Sequence, residues 1–150
     1  MKLVIPPPIV ALIAAAMMWG LSKTAPTLSF VFPGHALIAG VFPAVGLVIM
    51  IIAVRAFSRA DTTINPHHPD KANKLVISGL YRVTRNPMYL GMALVLTGWI
   101  LWLGHLLAVL PLIGFIWFIT TFQIKPEEAV LKQKFGDEFE AYMGRVRRWI

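Results

Sequence analysis

The chain has no cysteine, which removes disulfides, thiolate metal sites and a cysteine nucleophile together. Charge is scarce as well: 14% of residues are Asp, Glu, Lys or Arg and 57% are hydrophobic, a balance outside that of ordinary soluble domains. Negative charge is scarcest, with seven acidic residues, the first at Asp61. No G-x-G-x-x-G follows a strand pattern, so a Rossmann-type nucleotide site is not indicated. Histidine is sparse too. None of His35, His67, His68 and His105 has a partner at zinc-ligand spacing apart from adjacent His67 and His68, whose side chains normally diverge, so structural or solvated roles and no metal site are expected.

What the chain has in abundance is long apolar sequence. Four runs stand out, at about Ile9–Leu21, Ala36–Val54, Met88–Leu103 and Leu106–Ile124. At 1.5 Å per residue the last is roughly 28 Å long, close to one hydrocarbon core, while the first is short. The expected fold is all-α: a polytopic membrane protein with about four transmembrane helices, a cytoplasmic loop and a C-terminal amphipathic helix, forming one domain over 1–150. Pro6-Pro7-Pro8 marks the start of the first helix, since proline is tolerated there. Pro43 and Pro111 fall inside their runs, where kinks are expected. Lys2 and Ala14-Ala15-Ala16 have the outline of a cleaved signal, but the proline triplet interrupts its apolar core and three further spans would anchor the chain regardless.

Basic residues orient these spans. The stretch Arg55–Arg85 holds six, the tail from Lys125 holds six more, and Lys2 precedes the first span, so four spans with both termini inside place thirteen of fourteen on the cytoplasmic side. The net charge of +7 is thereby explained by orientation and by anionic headgroups rather than by nucleic acid. All seven acidic residues share that side, so any chemistry faces the cytosol, and a bacterial inner membrane is the expected location.

Between the second and third runs, Asp61-Thr62-Thr63-Ile64-Asn65-Pro66-His67-His68-Pro69-Asp70 is rich in turn formers and too long for a simple connector; a lid over a site and a plain linker are both open. Leu75–Tyr81 reads as an interfacial segment entering the third helix. In the tail, Leu131, Phe135, Phe139, Tyr142, Val146 and Trp149 recur at helical spacing, opposite Lys132, Lys134, Asp137, Glu138 and Glu140. Gly136 is placed to bend or break that helix. Arg145, Arg147 and Arg148 fit headgroup phosphates.

Two polar clusters flank the last pair of apolar runs. Tyr81-Arg82-Val83-Thr84-Arg85-Asn86-Pro87-Met88-Tyr89 leads into the third, and Lys125-Pro126-Glu127-Glu128 follows the fourth. A turn at Gly104-His105 makes the runs a hairpin, whose open ends bring Arg85, Asn86, Tyr89, Glu127 and Glu128 together. Each cluster has a plainer explanation. Pro126-Glu127-Glu128 is also a helix-start pattern, and Arg82, Arg85, Tyr81 and Tyr89 suit membrane-interface anchors. Their joint occurrence at one mouth points to a binding site.

Ser78-Gly79-Leu80-Tyr81-Arg82, Arg85-Asn86-Pro87-Met88-Tyr89-Leu90-Gly91 and Glu127-Glu128, followed by Leu131, Phe135-Gly136, Tyr142 and Arg145 to Trp149, resemble the isoprenylcysteine carboxyl methyltransferase and phospholipid methyltransferase superfamily, in particular its small bacterial members. The resemblance covers about residues 55–150, with 1–54 alike only as membrane helices. It implies S-adenosylmethionine as methyl donor and S-adenosylhomocysteine as product, held at the cytoplasmic ends of the last membrane helices by Tyr81, Arg85, Asn86, Pro87, Tyr89, Leu90, Gly91, Glu127 and Glu128. Arg85, Glu128 and Arg145 are the residues expected to act in the chemistry. On this basis Arg85 pairs with the donor's carboxylate, and Glu127 or Glu128 accepts from its ammonium or ribose hydroxyls. Asn86 stands where many relatives have histidine; an amide does not titrate near neutrality, which argues against a general base there. The acceptor is expected to be lipophilic, either a prenylcysteine-like carboxylate, a lipid amine or a hydrophobic thiol. Two rival classes are a small NADPH-dependent membrane reductase and a non-catalytic lipid-binding subunit. The oligomeric state is not indicated.

Overall fold

The computed structural model describes residues 5–59 and 74–150. The turn-rich stretch 61–70, with His67 and His68, lies outside the described residues, as does Lys2. Helix α1 spans Pro7–Leu21, α2 His35–Arg59, α3 Pro87–Leu103, α4 Val109–Phe118 and α5 Lys125–Arg145. The described residues are otherwise turns, short 3-10 segments and one π-helical turn, with one isolated bridge between Ser29 and His105.

Each helix begins and ends where local chemistry dictates. Pro7 occupies the first turn of α1, where its missing N–H is not needed. The helix closes as the hydroxyls of Ser22 and Thr24 donate to the carbonyls of Trp19 and Leu21. Pro87 starts α3 in the same way, and Gly104 ends it in a left-handed conformation. Pro43 lies inside α2, whereas Pro111 falls in the first turn of α4, so an interior kink expected at Pro111 is replaced by an ordinary helix start.

The fourth apolar run does not stop at Ile124. Six residues, Ile119–Ile124, form a π-helical turn that carries α4 directly into α5, giving one helical path from Leu106 to Arg145. Pro126 explains the wide turn. Its ring would strike the carbonyl four residues back in a regular helix, and a π turn just before it moves that carbonyl aside. Gly136 then takes φ 51°, ψ −126°, a conformation only glycine adopts readily, and breaks α5 as its position implied.

Helix α3 is the centre of the packing. It runs antiparallel to α2, and the two backbones approach so closely that a Cβ on Gly46 would lie 2.5 Å from the Gly91 carbonyl oxygen. Helix α1 packs on both α3 and α4, with the Trp99 indole N–H donating to the Ala15 carbonyl at 3.1 Å. Buried positions include the small residues Ala14, Ala39, Ala53 and Ala93, while Leu12, Leu37, Val48, Ile51, Trp102, Ile113 and Trp117 are exposed. Small residues at helix contacts with large apolar side chains facing outward is the arrangement suited to lipid. Helix α2 and the path Leu106–Arg145 are long and apolar enough to cross a membrane; α1 and α3, at 15 and 17 residues, are shorter. The described residues are all-helical, with two helices long and apolar enough to cross a membrane.

The helices alternate in direction, so the molecule has two ends. At one, the loop after α1 meets the α3–α4 turn. At the other, the start of α3 meets the start of α5 and the C-terminal residues.

Candidate functional site

The second end gathers the polar block and the glutamate pair. Gly79–Arg82 forms a 3-10 turn that delivers the chain to α3, and the Tyr142 hydroxyl donates to the Tyr81 carbonyl at 2.7 Å, tying that turn to α5. The Tyr81 ring is buried edge-on against Phe57 of α2, with centroids 5.5 Å apart.

Arg85 and Glu128 meet directly. Nη2 and Nε of Arg85 donate to Glu128 Oε1 at 2.8 and 3.2 Å, and Arg85 Nη1 donates to the carbonyls of Val146 and Met143 at 2.7 and 3.1 Å. Arg148 bonds the same carboxylate, Nη2 to Oε2 at 2.6 Å and Nε to Oε1 at 3.1 Å. Glu128 therefore sits between two guanidiniums. Burial alone would raise its carboxyl, but the hydrogen bonds from Arg148 and Arg85 overcome that and hold it below its ordinary value.

Glu127 lives in a different environment. The Tyr89 hydroxyl and the Gln123 amide both donate to its Oε1, at 2.8 and 2.7 Å. The apolar part of the helix ends at Ile124, and Glu127 lies just beyond it with no cation bonded to it among the described residues. Burial pushes its carboxyl above the ordinary value, against the opposing effect of those two hydrogen bonds. Adjacent carboxylates thus diverge in acidity because one is ion-paired and the other is only desolvated.

The C-terminal residues complete the site. Helix α5 gives way to extended backbone at Val146, and the chain lies across the start of α3. There the Arg85 backbone N–H donates to the Arg147 carbonyl at 3.0 Å, and the Thr84 hydroxyl and Asn86 amide donate to the Arg148 carbonyl at 3.3 and 2.9 Å. The Trp149 indole N–H donates to Thr120 Oγ1 at 3.1 Å, securing the tail to the π turn.

Of the residues expected at the site, Arg85, Asn86, Tyr89, Glu127 and Glu128 converge. Tyr81 and Pro87 are buried nearby, Leu90 is half-buried, and Gly91 lies at the α2 contact against the Gly46 carbonyl. Arg145 is not part of the cluster: it is exposed and donates to the Ala141 carbonyl of its own helix at 3.2 Å. Sequence reasoning missed Thr84 and Gln123, and placed Arg148 at headgroup phosphates rather than on Glu128. Gln123 did leave a signal, as a polar residue within an apolar run four positions before Glu127. Among the described residues no group of acidic and histidine side chains is arranged to hold a metal ion.

Comparison with known proteins agrees with the motif set. The chain matches the family described as phospholipid methyltransferase over residues 34–138, a span that takes in α2 as well as the polar clusters. It is 31% identical over 102 residues to a probable protein-S-isoprenylcysteine O-methyltransferase of Oryza sativa subsp. indica, covering 68% of this chain and 53% of that protein. To a protein-S-isoprenylcysteine O-methyltransferase of Schizosaccharomyces pombe it is 32% identical over 77 residues, 51% of this chain and 33% of the relative. An uncharacterized protein of Haemophilus influenzae is 52% identical over 63 residues, its whole length and 42% of this chain. The chain thus spans about half the length of the rice protein and a third of the yeast one. No solved structure matches it. With over two thirds of its length inside the family match and the same motifs gathered at one end of its helices, the chain belongs to the phospholipid methyltransferase family.

Proposed function

We propose that this chain is an integral membrane methyltransferase that uses S-adenosylmethionine to methylate a lipophilic acceptor. The observation that carries the reading is the meeting of Arg85, Arg148, Glu127, Glu128 and Tyr89 just past the apolar part of the last membrane helix. These groups fit the donor's chemistry. A molecule with an ammonium, a carboxylate, hydroxyls and an adenine ring needs both signs of charge and aromatic surface, and this cluster has them.

When bound, S-adenosylmethionine would supply an electrophilic methyl carbon for in-line transfer to the acceptor. The side chains hold and align. Arg85 already donates to Glu128 and two carbonyls, so its part is to fix Glu128 and the tail. Arg148 is more exposed and shares only the one carboxylate, which suits it to face the donor's carboxylate. Glu127 or Glu128 would accept from the ammonium or the ribose hydroxyls. Asn86 holds the tail through the Arg148 carbonyl, a role an amide fills without titrating. A carboxylate acceptor needs no base, whereas an amine or thiol must lose a proton; a prenylcysteine-like carboxylate, a lipid amine and a hydrophobic thiol all fit a site entered from lipid.

The topology belongs to the same proposal: one domain over 1–150 with four spans, both termini and the site in the cytosol, and a bacterial inner membrane around it. Exposed Arg55, Arg59, Arg82, Lys125 and Arg147 then face anionic headgroups, and α5 lies at the interface with Phe139 and Tyr142 turned inward. Thermal unfolding of the detergent-purified protein tests the reading. S-adenosylhomocysteine should raise the midpoint and NADPH should not; stabilisation by NADPH alone, or by neither, overturns it.

A further inference from the structure

Both hydrogen bonds to Glu127 land on one oxygen, Oε1, and they come from two directions: Tyr89 on α3 and Gln123 one turn earlier on the same helical path. Among the described residues no donor is bonded to Oε2. Among the described residues no fully buried side-chain oxygen or nitrogen lacks a partner, so an unpartnered Oε2 retains some exposure. A carboxylate fixed by one oxygen cannot rotate freely, and its other oxygen is aimed. The π turn at Ile119–Ile124, which includes Gln123, contributes, because its i→i+5 hydrogen bonding takes up an extra residue and resets the helix face just before Glu127, and such turns recur at functional sites.

We propose that Tyr89 and Gln123 are positioning residues that pin Glu127 by Oε1 so that Oε2 receives the ammonium group of the methyl donor. This rests on the methyltransferase reading and adds to it the residues that set one ligand contact. Glu128, held between two guanidiniums, cannot take a cation without giving up Arg85 or Arg148, which leaves Glu127 as the carboxylate for positive charge. The groups acting on Glu127 are Tyr89 and Tyr81 from the segment entering α3, and Gln123 and Glu128 from its own helical path.

The test is S-adenosylhomocysteine affinity across a pH series for the wild type, Tyr89→Phe and Gln123→Met, each of which removes a donor and keeps the bulk. Binding should need ionised Glu127, so it weakens as pH falls through that group's raised pKa. Each substitution removes a bond that favours the carboxylate, and should weaken binding about tenfold near neutrality while moving the acidic limb to higher pH. A purely structural role would lower affinity without moving that limb. 5′-Methylthioadenosine has the nucleoside but no ammonium, and should bind the wild type and both variants alike. Tight wild-type binding with an unmoved limb in both variants overturns this inference and spares the methyltransferase reading, as does an equal loss for methylthioadenosine. Failure of the folded wild type to bind S-adenosylhomocysteine overturns both.

Discussion

The two ends of the helix assembly face the same structural problem and solve it with different chemistry. Where the loop after α1 meets the α3–α4 turn, the Phe30 N–H donates to the Gly104 carbonyl at 2.7 Å, and buried His105 spans the junction. Its Nδ1 accepts from the Leu107 N–H, so Nε2 carries the proton it donates to the Ala25 carbonyl at 2.8 Å. That junction is made by backbone groups and one imidazole. At the opposite end, the same task of joining a helix start to a neighbouring chain segment involves two arginines bonded to Glu128 and, next to it, Glu127 held by Tyr89 and Gln123, all partly buried. Neutral groups suffice to close a helical end, and charges taken partly out of water are costly. On the proposed reading, that charge serves the ligand bound at this end.

The largest expected effect comes from breaking the charged end. Glu128→Ala leaves Arg85 and Arg148 without a counter-charge and should cost about 3 kcal/mol. Arg85→Ala frees the carbonyls of Met143 and Val146. In both, stabilisation by S-adenosylhomocysteine should vanish while circular dichroism still reports a helical protein. At the neutral end, His105→Ala removes two hydrogen bonds and should cost about 2 kcal/mol, with S-adenosylhomocysteine affinity unchanged. If it weakened that affinity as much as Glu128→Ala, the division between a structural end and a binding end would fail. The smallest effect is expected from Lys132→Ala. Its pair with Glu140 is solvent-exposed, so neither thermal midpoint nor ligand affinity should change measurably.

Much of this comparison was legible in the sequence, for physical reasons that also mark the limits. Apolar runs gave the helices because lipid demands continuous apolar length, and Pro7 and Gly136 marked a start and a break because backbone constraints are local. The meeting of Arg85 with Glu128 followed from two helices joined by a short turn. The choice between Arg145 and Arg148 did not. Helical spacing locates a side chain only while the helix lasts, and α5 ends at Arg145, so extended backbone decides which arginine turns inward. Continuity from α4 into α5 was hidden because Pro126 reads as a helix start, and only the π turn before it lets the helix pass. The close approach of Gly46 and Gly91 was equally silent, since a glycine in an apolar run does not name its partner.

Isothermal titration of the detergent-purified protein with S-adenosylhomocysteine tests the central claim most directly. A single saturable site is predicted for the wild type, retained in His105→Ala and lost in Glu128→Ala. Absence of binding to a folded, monodisperse wild type, or equal binding in all three proteins, would contradict it.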